Sequence, residues 1–144
     1  MLISDVIKNQ VIVSASGDQS VLEVTRIMVE HNIGAVPVLQ EGRLKGIFSE
    51  RDLMSRVVAA GKDPSRTKVS QVMTEDPLTV KSGDSLETCM TLMKRHGFRH
   101  LPVSAGGELK GIISLRDILL HNLDEKDDEV RMMRAYLHST PDAG

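Results

Sequence analysis

Two copies of a short polar motif carry the residues whose types and spacing could do chemistry. Each copy places a serine, an arginine and an aspartate directly after an apolar run, where a strand is expected to turn into a helix. A helix N-terminus offers free backbone N–H groups, which favour an anion such as a phosphate. The candidate residues are Ser49, Arg51 and Asp52 in the first copy and Ser114, Arg116 and Asp117 in the second.

The serine and the aspartate of each motif also have a purely structural explanation. A serine at the N-cap with an acidic residue three positions later forms a capping box, worth about 1 kcal/mol. Ligand binding does not exclude this role, because the carboxylate could still accept hydrogen bonds from sugar hydroxyls. The arginines are harder to explain, since the helix dipole disfavours a cation in the first turn. Arg51 and Arg116 therefore suggest a phosphate or carboxylate partner, within the chain or across a dimer interface.

The two motifs belong to a duplicated unit. Between His31–Leu53 and His96–Ile118, eleven of 23 positions are identical at an offset of 65 residues. Nearer the start of each unit, we expect a small insertion or deletion that matches Val11–Val13 with Leu78–Val80. Two copies are too few for a solenoid, and three short strands cannot bury both faces of a sheet, so the halves are expected to pack on each other.

The hydrophobic periodicity predicts the order β-α-β-β-α in each half, after a short helical lead-in. The lead-ins are expected around residues 3–7 and 69–73, and the helices are expected to begin at Ser20, Ser49, Ser85 and Ser114. The second helix is expected to bury Leu53, Val57 and Val58. The predicted strands are 11–13, 35–39 and 44–48 in the first half and 78–80, 99–103 and 109–113 in the second.

These elements divide the chain into a first repeat (1–61), a linker (62–68), a second repeat (69–123) and an acidic, amphipathic C-terminal helix and tail (124–144). In the tail, Val130, Met133 and Leu137 fall about one helical turn apart. That helix is expected to pack either on its own domain or on a second subunit.

Composition excludes several classes of protein. The formal net charge of −2 and the three aromatic side chains argue against a nucleic-acid surface. Cys89 is the only cysteine, which excludes an internal disulfide and suits a reducing compartment. No apolar run approaches the roughly 20 residues of a membrane span, and the N-terminus does not resemble a signal peptide. We therefore expect a cytoplasmic protein with neither nucleic-acid nor membrane partners.

Over residues 1–123 the sequence resembles a tandem pair of cystathionine-β-synthase (CBS) domains. The resemblance lies in Gly34-Ala-Val-Pro37-Val and Arg99-His-Leu-Pro102-Val, each followed by glycine, an apolar pair and Ser-x-x-Asp. It implies an α+β fold of β-α-β-β-α repeats related by a pseudo-two-fold axis, with two clefts that bind adenine nucleotides. It also implies a homodimer, and it is closest to small stand-alone bacterial proteins without an attached enzyme.

The resemblance also implies roles for individual residues. Asp117 and Asp52 would accept hydrogen bonds from ribose hydroxyls. Nucleotide-sensing members, such as the γ subunits of AMP-activated kinase, place a phosphate-binding arginine where Arg99 stands. A phosphate clamp of Arg99, His100, Ser114 and Arg116 follows for the Asp117 cleft. The first repeat has Gly34-Ala35 at the positions of Arg99-His100, so the Asp117 cleft is predicted to be the better mononucleotide site.

In this family the adenine lies between apolar side chains, partly from the opposite repeat. This implies contacts from 14–21 and 33–36 in the Asp117 cleft, and from 80–86 and Phe98 in the Asp52 cleft. The ligand is expected to be AMP, ADP or ATP, with NAD(H) and S-adenosylmethionine open as alternatives. The candidate contacts beyond the two motifs are Ser14, Ile33, Gly34, Ala35, Val36, Val80, Phe98, Arg99, His100, Leu101 and Pro102.

Three functions remain to be weighed. The leading one is a non-enzymatic nucleotide sensor that acts through a homodimer on an unknown protein partner. The alternative is a structural dimerisation module whose clefts bind no nucleotide. An enzyme that hydrolyses or transfers a nucleotide group is disfavoured, because His100 is the only candidate for a catalytic base near the expected phosphates.

Overall fold

Short strands and amphipathic helices follow one another in the predicted order. The structure, a computed structural model, describes residues 1–139 apart from the side chains of 123–125, 127–129 and 136–139. The helices are α1 (Ile3–Ile7), α2 (Val21–His31), α3 (Glu50–Asp52), α4 (Leu86–His96) and α5 (Leu115–Ser139). A π-helix (Leu53–Val58) continues α3, and a 3₁₀-helix spans Val69–Gln71. The strands are β1 (Ala15–Ser16), β2 (Ala35–Gln40), β3 (Arg43–Ser49), β4 (Thr74–Glu75), β5 (Val80–Lys81), β6 (His100–Ala105) and β7 (Glu108–Ser114).

The strands form two small sheets that repeat one register, which places the chain in the α+β class. One sheet has the order β1-β2-β3-β4 and the other β5-β6-β7. Ala15 is the parallel partner of Val38, and Val80 is the parallel partner of Val103. The offset of 65 therefore holds to the first strand, so the expected insertion or deletion is wrong. The strand predicted at Val11–Val13 is also wrong, because that segment belongs to neither sheet.

The two lead-ins are exchanged between the repeats. Ile3 and Ile7 of α1 are buried in the core of the second repeat, with Val80, Leu101 and Ile113. Conversely, the core of the first repeat takes residues from the second lead-in, namely Val69, Val72 and Met73. The backbone confirms the exchange, since β4 pairs with β3 and the N–H of Ile3 donates to the carbonyl of Asp84. Each hydrophobic core is thus completed by the other half of the chain.

The predicted helix starts are confirmed. Ser20 Oγ and Ser85 Oγ accept hydrogen bonds from the backbone N–H groups of Glu23 and Thr88, both at 3.1 Å. Helix α2 ends at Asn32 and α4 ends at Gly97, both in the left-handed conformation that closes a helix.

The predicted apolar face of the second helix is only partly correct. Val57 is fully buried and Leu53 packs against the first core, but Val58 is 66% exposed. The π-helical stretch explains the difference, because its wider turn rotates the residues that follow out of the 3.6-residue period.

The segment predicted as a linker is hydrogen-bonded to the N-terminus of α2 in the first repeat. The carbonyls of Thr67 and Pro64 accept hydrogen bonds from the first backbone N–H groups of α2, those of Val21 and Leu22. These contacts satisfy donors that a helix N-terminus otherwise leaves without a partner.

Helix α5 continues without a break across the predicted boundary at residue 123. Its first turns pack on α4, β7 and α1. Of the predicted acidic run at 124–129 only the side chain of Lys126 is described, and Leu137 and residues 140–144 lie outside the described part. Within residues 1–139, no helix has the length and apolar content needed to cross a membrane.

Candidate nucleotide-binding cleft

A cleft of about 1130 Å³ opens between the two repeats. One wall comes from the second repeat, where β6 begins and where β7 passes into α5. The other wall comes from the first repeat, at the end of α2 and the start of β2. The residues that line it with polar or charged groups are Gln10, Thr25, Asn32, Glu50, Arg99, His100, Ser114, Arg116 and Asp117.

Asp117 lies in the cleft as the third residue after an N-cap. The backbone N–H of Ser114 donates to Asp117 Oδ2 at 3.1 Å, and the backbone N–H of Asp117 donates to Ser114 Oγ at 3.0 Å. This is the predicted capping box, and it fixes the carboxylate at the edge of the cleft. Only the first of these bonds uses the carboxylate, and it uses Oδ2 alone, so the geometry fits capping and ligand contact together.

Asp52, the counterpart of Asp117, is bound by side chains of its own repeat and of the second lead-in. It is capped by Ser49 in the same way, but its Oδ1 also accepts a hydrogen bond from Thr74 at 3.3 Å. Arg56 Nε lies 3.6 Å from the same oxygen, and the Asp52 side chain is only 9% exposed. Thr74 reaches this position because the second lead-in packs on the first repeat. Asp52 therefore acts as a buried structural carboxylate in this geometry.

His100 lies at the contact between the repeats. Its imidazole packs against Gly34: a Cβ added there would meet His100 Cε1 at 3.1 Å and Glu50 Oε1 at 3.3 Å. A side chain at position 34 would crowd both groups, which explains why the first repeat has glycine where the second has Arg99. Burial lowers the pKa of His100 below its usual range; nearby Glu50 and Asp117 act in the opposite direction, and Arg99 adds to the lowering.

The arginines of the two motifs have different surroundings. Arg99 and Arg116 are exposed and line the cleft, so they can approach a phosphate. Arg51 instead donates a 3.3 Å hydrogen bond to the carbonyl of Gly97 at the C-terminus of α4. A cation at that end of a helix is favourable, which accounts for Arg51 without a ligand.

The structure brings together only some of the predicted contact residues. Eight of them line the cleft: Ile33, Gly34, Ala35, Arg99, His100, Ser114, Arg116 and Asp117. Val36, Val80, Leu101 and Pro102 are buried among core residues. Ser14 is exposed beside the cleft, and Phe98 stacks on His96 with a ring separation of 5.5 Å. Ser49, Arg51 and Asp52 lie at the equivalent corner of the first repeat.

Sequence reasoning missed the segment Gln10–Val13, which lines the cleft from the N-terminal side. The side-chain amide of Gln10 pairs with the backbone of Ile112: its Nε2 donates to the carbonyl, and its Oε1 accepts from the N–H, both at 2.8 Å. The amide thereby replaces a strand neighbour for β7. Val11 is 83% exposed and Ile12 41% exposed, so two apolar side chains face the opening. The β-branched residues of this segment predicted a paired strand, and that prediction hid its exposed position beside the cleft.

Other reactive groups lie elsewhere. Burial raises the pKa of Cys89 to about 11, so this thiol in the second core is a poor nucleophile. In the part of the chain that the structure describes, no group of three or more His, Cys, Asp or Glu residues is placed to hold a metal ion.

Comparison with known proteins agrees with this architecture. The family model for the CBS domain matches twice, at residues 3–59 and 69–124. The CBS domain-containing protein YhcV of Bacillus subtilis is 34% identical over 124 residues, which cover 86% of this chain and 87% of YhcV. A solved structure, a putative signal-transduction protein with CBS domains from Burkholderia ambifaria, aligns with a TM-score of 0.79 and 31% identity, covering 83% of this chain and 91% of that one.

A more distant structure shows the same fold. CBSX2, solved in complex with AMP, is 22% identical with a TM-score of 0.73, and the alignment covers 85% of this chain and 97% of that one. The double match to the family model, the relative that aligns along its length and the repeated strand register agree, and the chain belongs to the CBS domain family as a tandem pair.

Proposed function

We propose that this CBS pair is a regulatory module that binds an adenine nucleotide in the cleft built on Asp117 and transmits the bound state through a homodimer. The proposal is supported mainly by the residues that meet in one cleft between the repeats. These are two arginines, a helix N-terminus and a carboxylate that can accept hydrogen bonds from ribose hydroxyls, all beside apolar side chains. Arg99 and Arg116 suit the phosphate, Asp117 suits the ribose hydroxyls, and Val11, Ile12 and Ile33 suit the base.

The geometry favours one strong site over two. Asp52 is buried and bound by Thr74 and Arg56, and Arg51 is used at the end of α4. The cleft of Asp117 has neither restriction. A mononucleotide such as AMP fits its charges best, and the AMP complex of CBSX2, a pair of the same fold, supports this class of ligand.

A homodimer is supported by exposed apolar side chains on both repeats, among them the equivalent pair Met54 and Leu119. Met54 and Val58 are each 66% exposed, and Leu119, the counterpart of Met54, is 48% exposed. Their burial against a second copy would remove apolar surface from water. Ligand binding between the repeats could then change the distance between these apolar surfaces. A regulated partner protein could distinguish the bound from the unbound state by that change.

Isothermal titration calorimetry with AMP, ADP, ATP, NADH and S-adenosylmethionine tests the ligand. We expect at least one adenine nucleotide to bind with a dissociation constant well below about 1 mM and to raise the melting temperature. Absence of binding by all five would reject the sensor and favour the alternative, a dimerisation module without a nucleotide. Turnover of any of these ligands by the purified protein would instead reject the assignment as a binding module.

A further inference from the structure

Helix α5 extends well beyond the domain that anchors it. Ile118 is fully buried and Leu115 packs against the second core. From Lys126 onward, every side chain that the structure describes is exposed, namely Lys126 and residues 130–135. The helix is about 37 Å long, and an isolated helical segment of this kind is only marginally stable in water. The exposed half therefore needs a surface to pack against.

The sequence of this helix contains a heptad stripe, defined here as Leu119, Leu123, Lys126, Val130, Met133 and Leu137. The spacings are 4, 3, 4, 3 and 4, the alternation of a coiled-coil seam. At about 100° per residue, the stripe covers roughly 80° of the helix surface and is centred about 100° from Ile118. It therefore lies beside the face that Ile118 buries. Its members Leu119, Val130 and Met133 are 48%, 44% and 65% exposed, and Leu119 also lines the edge of the cleft.

The charges that flank the heptad stripe complement a second copy of the same helix. Acidic residues occupy 124, 125 and 127–129, and the basic Arg131 and Arg134 follow. With the stripe as positions a and d, Arg134 of one copy falls opposite Glu129 of the other in a parallel pair. In an antiparallel pair that overlaps the whole stripe, Asp127 and Glu129 instead fall opposite the same acidic residues of the other copy. Opposite charges therefore meet beside the seam only in a parallel pair, and a β-branched residue such as Val130 at position a favours two strands.

We propose that residues 119–137 of two copies of this chain pair as a parallel two-helix coiled coil. The proposal rests on the homodimer of the proposed function and extends its contact from the last residues of the second repeat along α5. Lys126, the single charged member of the stripe, lowers the stability of the seam. The coiled coil is also shorter than three heptads, so it holds the two copies together only in combination with contacts between the repeats.

Two adjacent methionines provide a matched test. Met133 lies on the heptad stripe, whereas Met132 lies about 140° from its centre and is 71% exposed. Sedimentation equilibrium of the full chain would be compared for the wild type, Met133→Glu and Met132→Glu. We expect Met133→Glu to weaken dimerisation by about tenfold or more, because it buries an unpaired charge. We expect Met132→Glu to leave the dimer unchanged. Val130→Glu should behave like Met133→Glu.

The outcomes separate this proposal from the proposed function. A wild-type dimer that all three variants retain equally would overturn the coiled coil and leave the homodimer intact. A wild type that is monomeric at every concentration would overturn both the homodimer and the coiled coil, while nucleotide binding is judged separately by calorimetry. Thermal unfolding of each variant verifies that the repeats are folded, since position 133 lies outside both cores.

Discussion

At the scale of single residues, two identical aspartates have different surroundings. Asp52 and Asp117 occupy equivalent positions and cap equivalent helices, yet only Asp52 meets Thr74 and an arginine at Oδ1. The local motif predicts the capping geometry of both. It cannot predict which carboxylate is buried, because the partners of Asp52 come from residues 4 and 22 positions along the chain.

Alanine substitution of the two aspartates should therefore give opposite results. Asp117→Ala should weaken nucleotide binding by about tenfold or more, since hydrogen bonds to a charged group contribute roughly 1.5–3 kcal/mol. Its loss of stability should be near the 1 kcal/mol of a helix cap. Asp52→Ala should cost about 2 kcal/mol of stability, because it removes both a helix cap and the acceptor of Thr74, whereas the half-exposed Arg56 can turn to water. It should leave binding unchanged. Calorimetry and urea unfolding measure the two quantities, and equal binding losses would contradict the assignment of one strong site.

His100 should make both stability and binding depend on pH. Its folded-state pKa is lowered by burial, whereas the unfolded chain titrates near pH ~6.5. The unfolded state therefore takes up the proton first, and stability should fall as the pH drops below about 6.5. A phosphate beside the imidazole should raise this pKa, so nucleotide binding should take up protons. Calorimetry in buffers of different ionisation enthalpy detects this uptake, and its persistence in His100→Gln would exclude His100 as its source.

Glu50 should limit the number of phosphates that the cleft accepts. Its carboxylate lies against Gly34 and beside His100, close to the arginines that suit a phosphate. Glu50→Gln should therefore raise the affinity for ATP relative to AMP, by roughly threefold or more at low ionic strength. Glu41→Gln, in the β2–β3 turn outside the cleft, is the matched control. An unchanged ratio of ATP to AMP affinity in Glu50→Gln would contradict this electrostatic role.

At the scale of elements, local chemistry predicts most of the fold. Serine caps, left-handed residues at helix ends and apolar runs place α2, α4, β2, β3, β6 and β7 within about a residue or two of the prediction. Local chemistry does not determine which other element a segment pairs with or packs against. Val11–Val13 has strand propensity, but β2 already pairs with Ala15 and Ser16, so the segment remains unpaired beside the cleft.

The amide of Gln10 should hold this segment in place. Gln10→Ala removes two hydrogen bonds of 2.8 Å to Ile112, so we expect a loss of about 1–2 kcal/mol of stability. Hydrogen exchange of the backbone amides at 11–13 and 112 should quicken, and nucleotide affinity should fall. Gln19→Ala is a suitable control, because its side chain accepts a hydrogen bond from the local turn at Ser16 and does not line the cleft. Equal effects of the two variants on affinity would argue against a role for Gln10 at the cleft.

At the scale of the whole molecule, the exchanged lead-ins make the two repeats interdependent. A chain divided between Thr67 and Lys68 leaves each fragment without residues of its own core, Val69 and Val72 in one case and Ile3 and Ile7 in the other. We expect each fragment alone to lack stable helical structure by circular dichroism. Mixed together, the two fragments should assemble in a 1:1 ratio and recover nucleotide binding. Cooperative unfolding of residues 1–67 by themselves would contradict this dependence.

The same exchange bears on how such a chain arose. A single ancestral unit, with one lead-in and one β-α-β-β-α body, could not have filled its own core by this packing. Two copies could have done so by trading lead-ins across a two-fold axis, with the arrangement that the two halves of this chain now adopt. Gene duplication and fusion would then have joined partners that were already paired. The joined halves would then be free to differ, and in this chain one corner has Arg99 and His100 beside its aspartate while the other has Thr74 and Arg56.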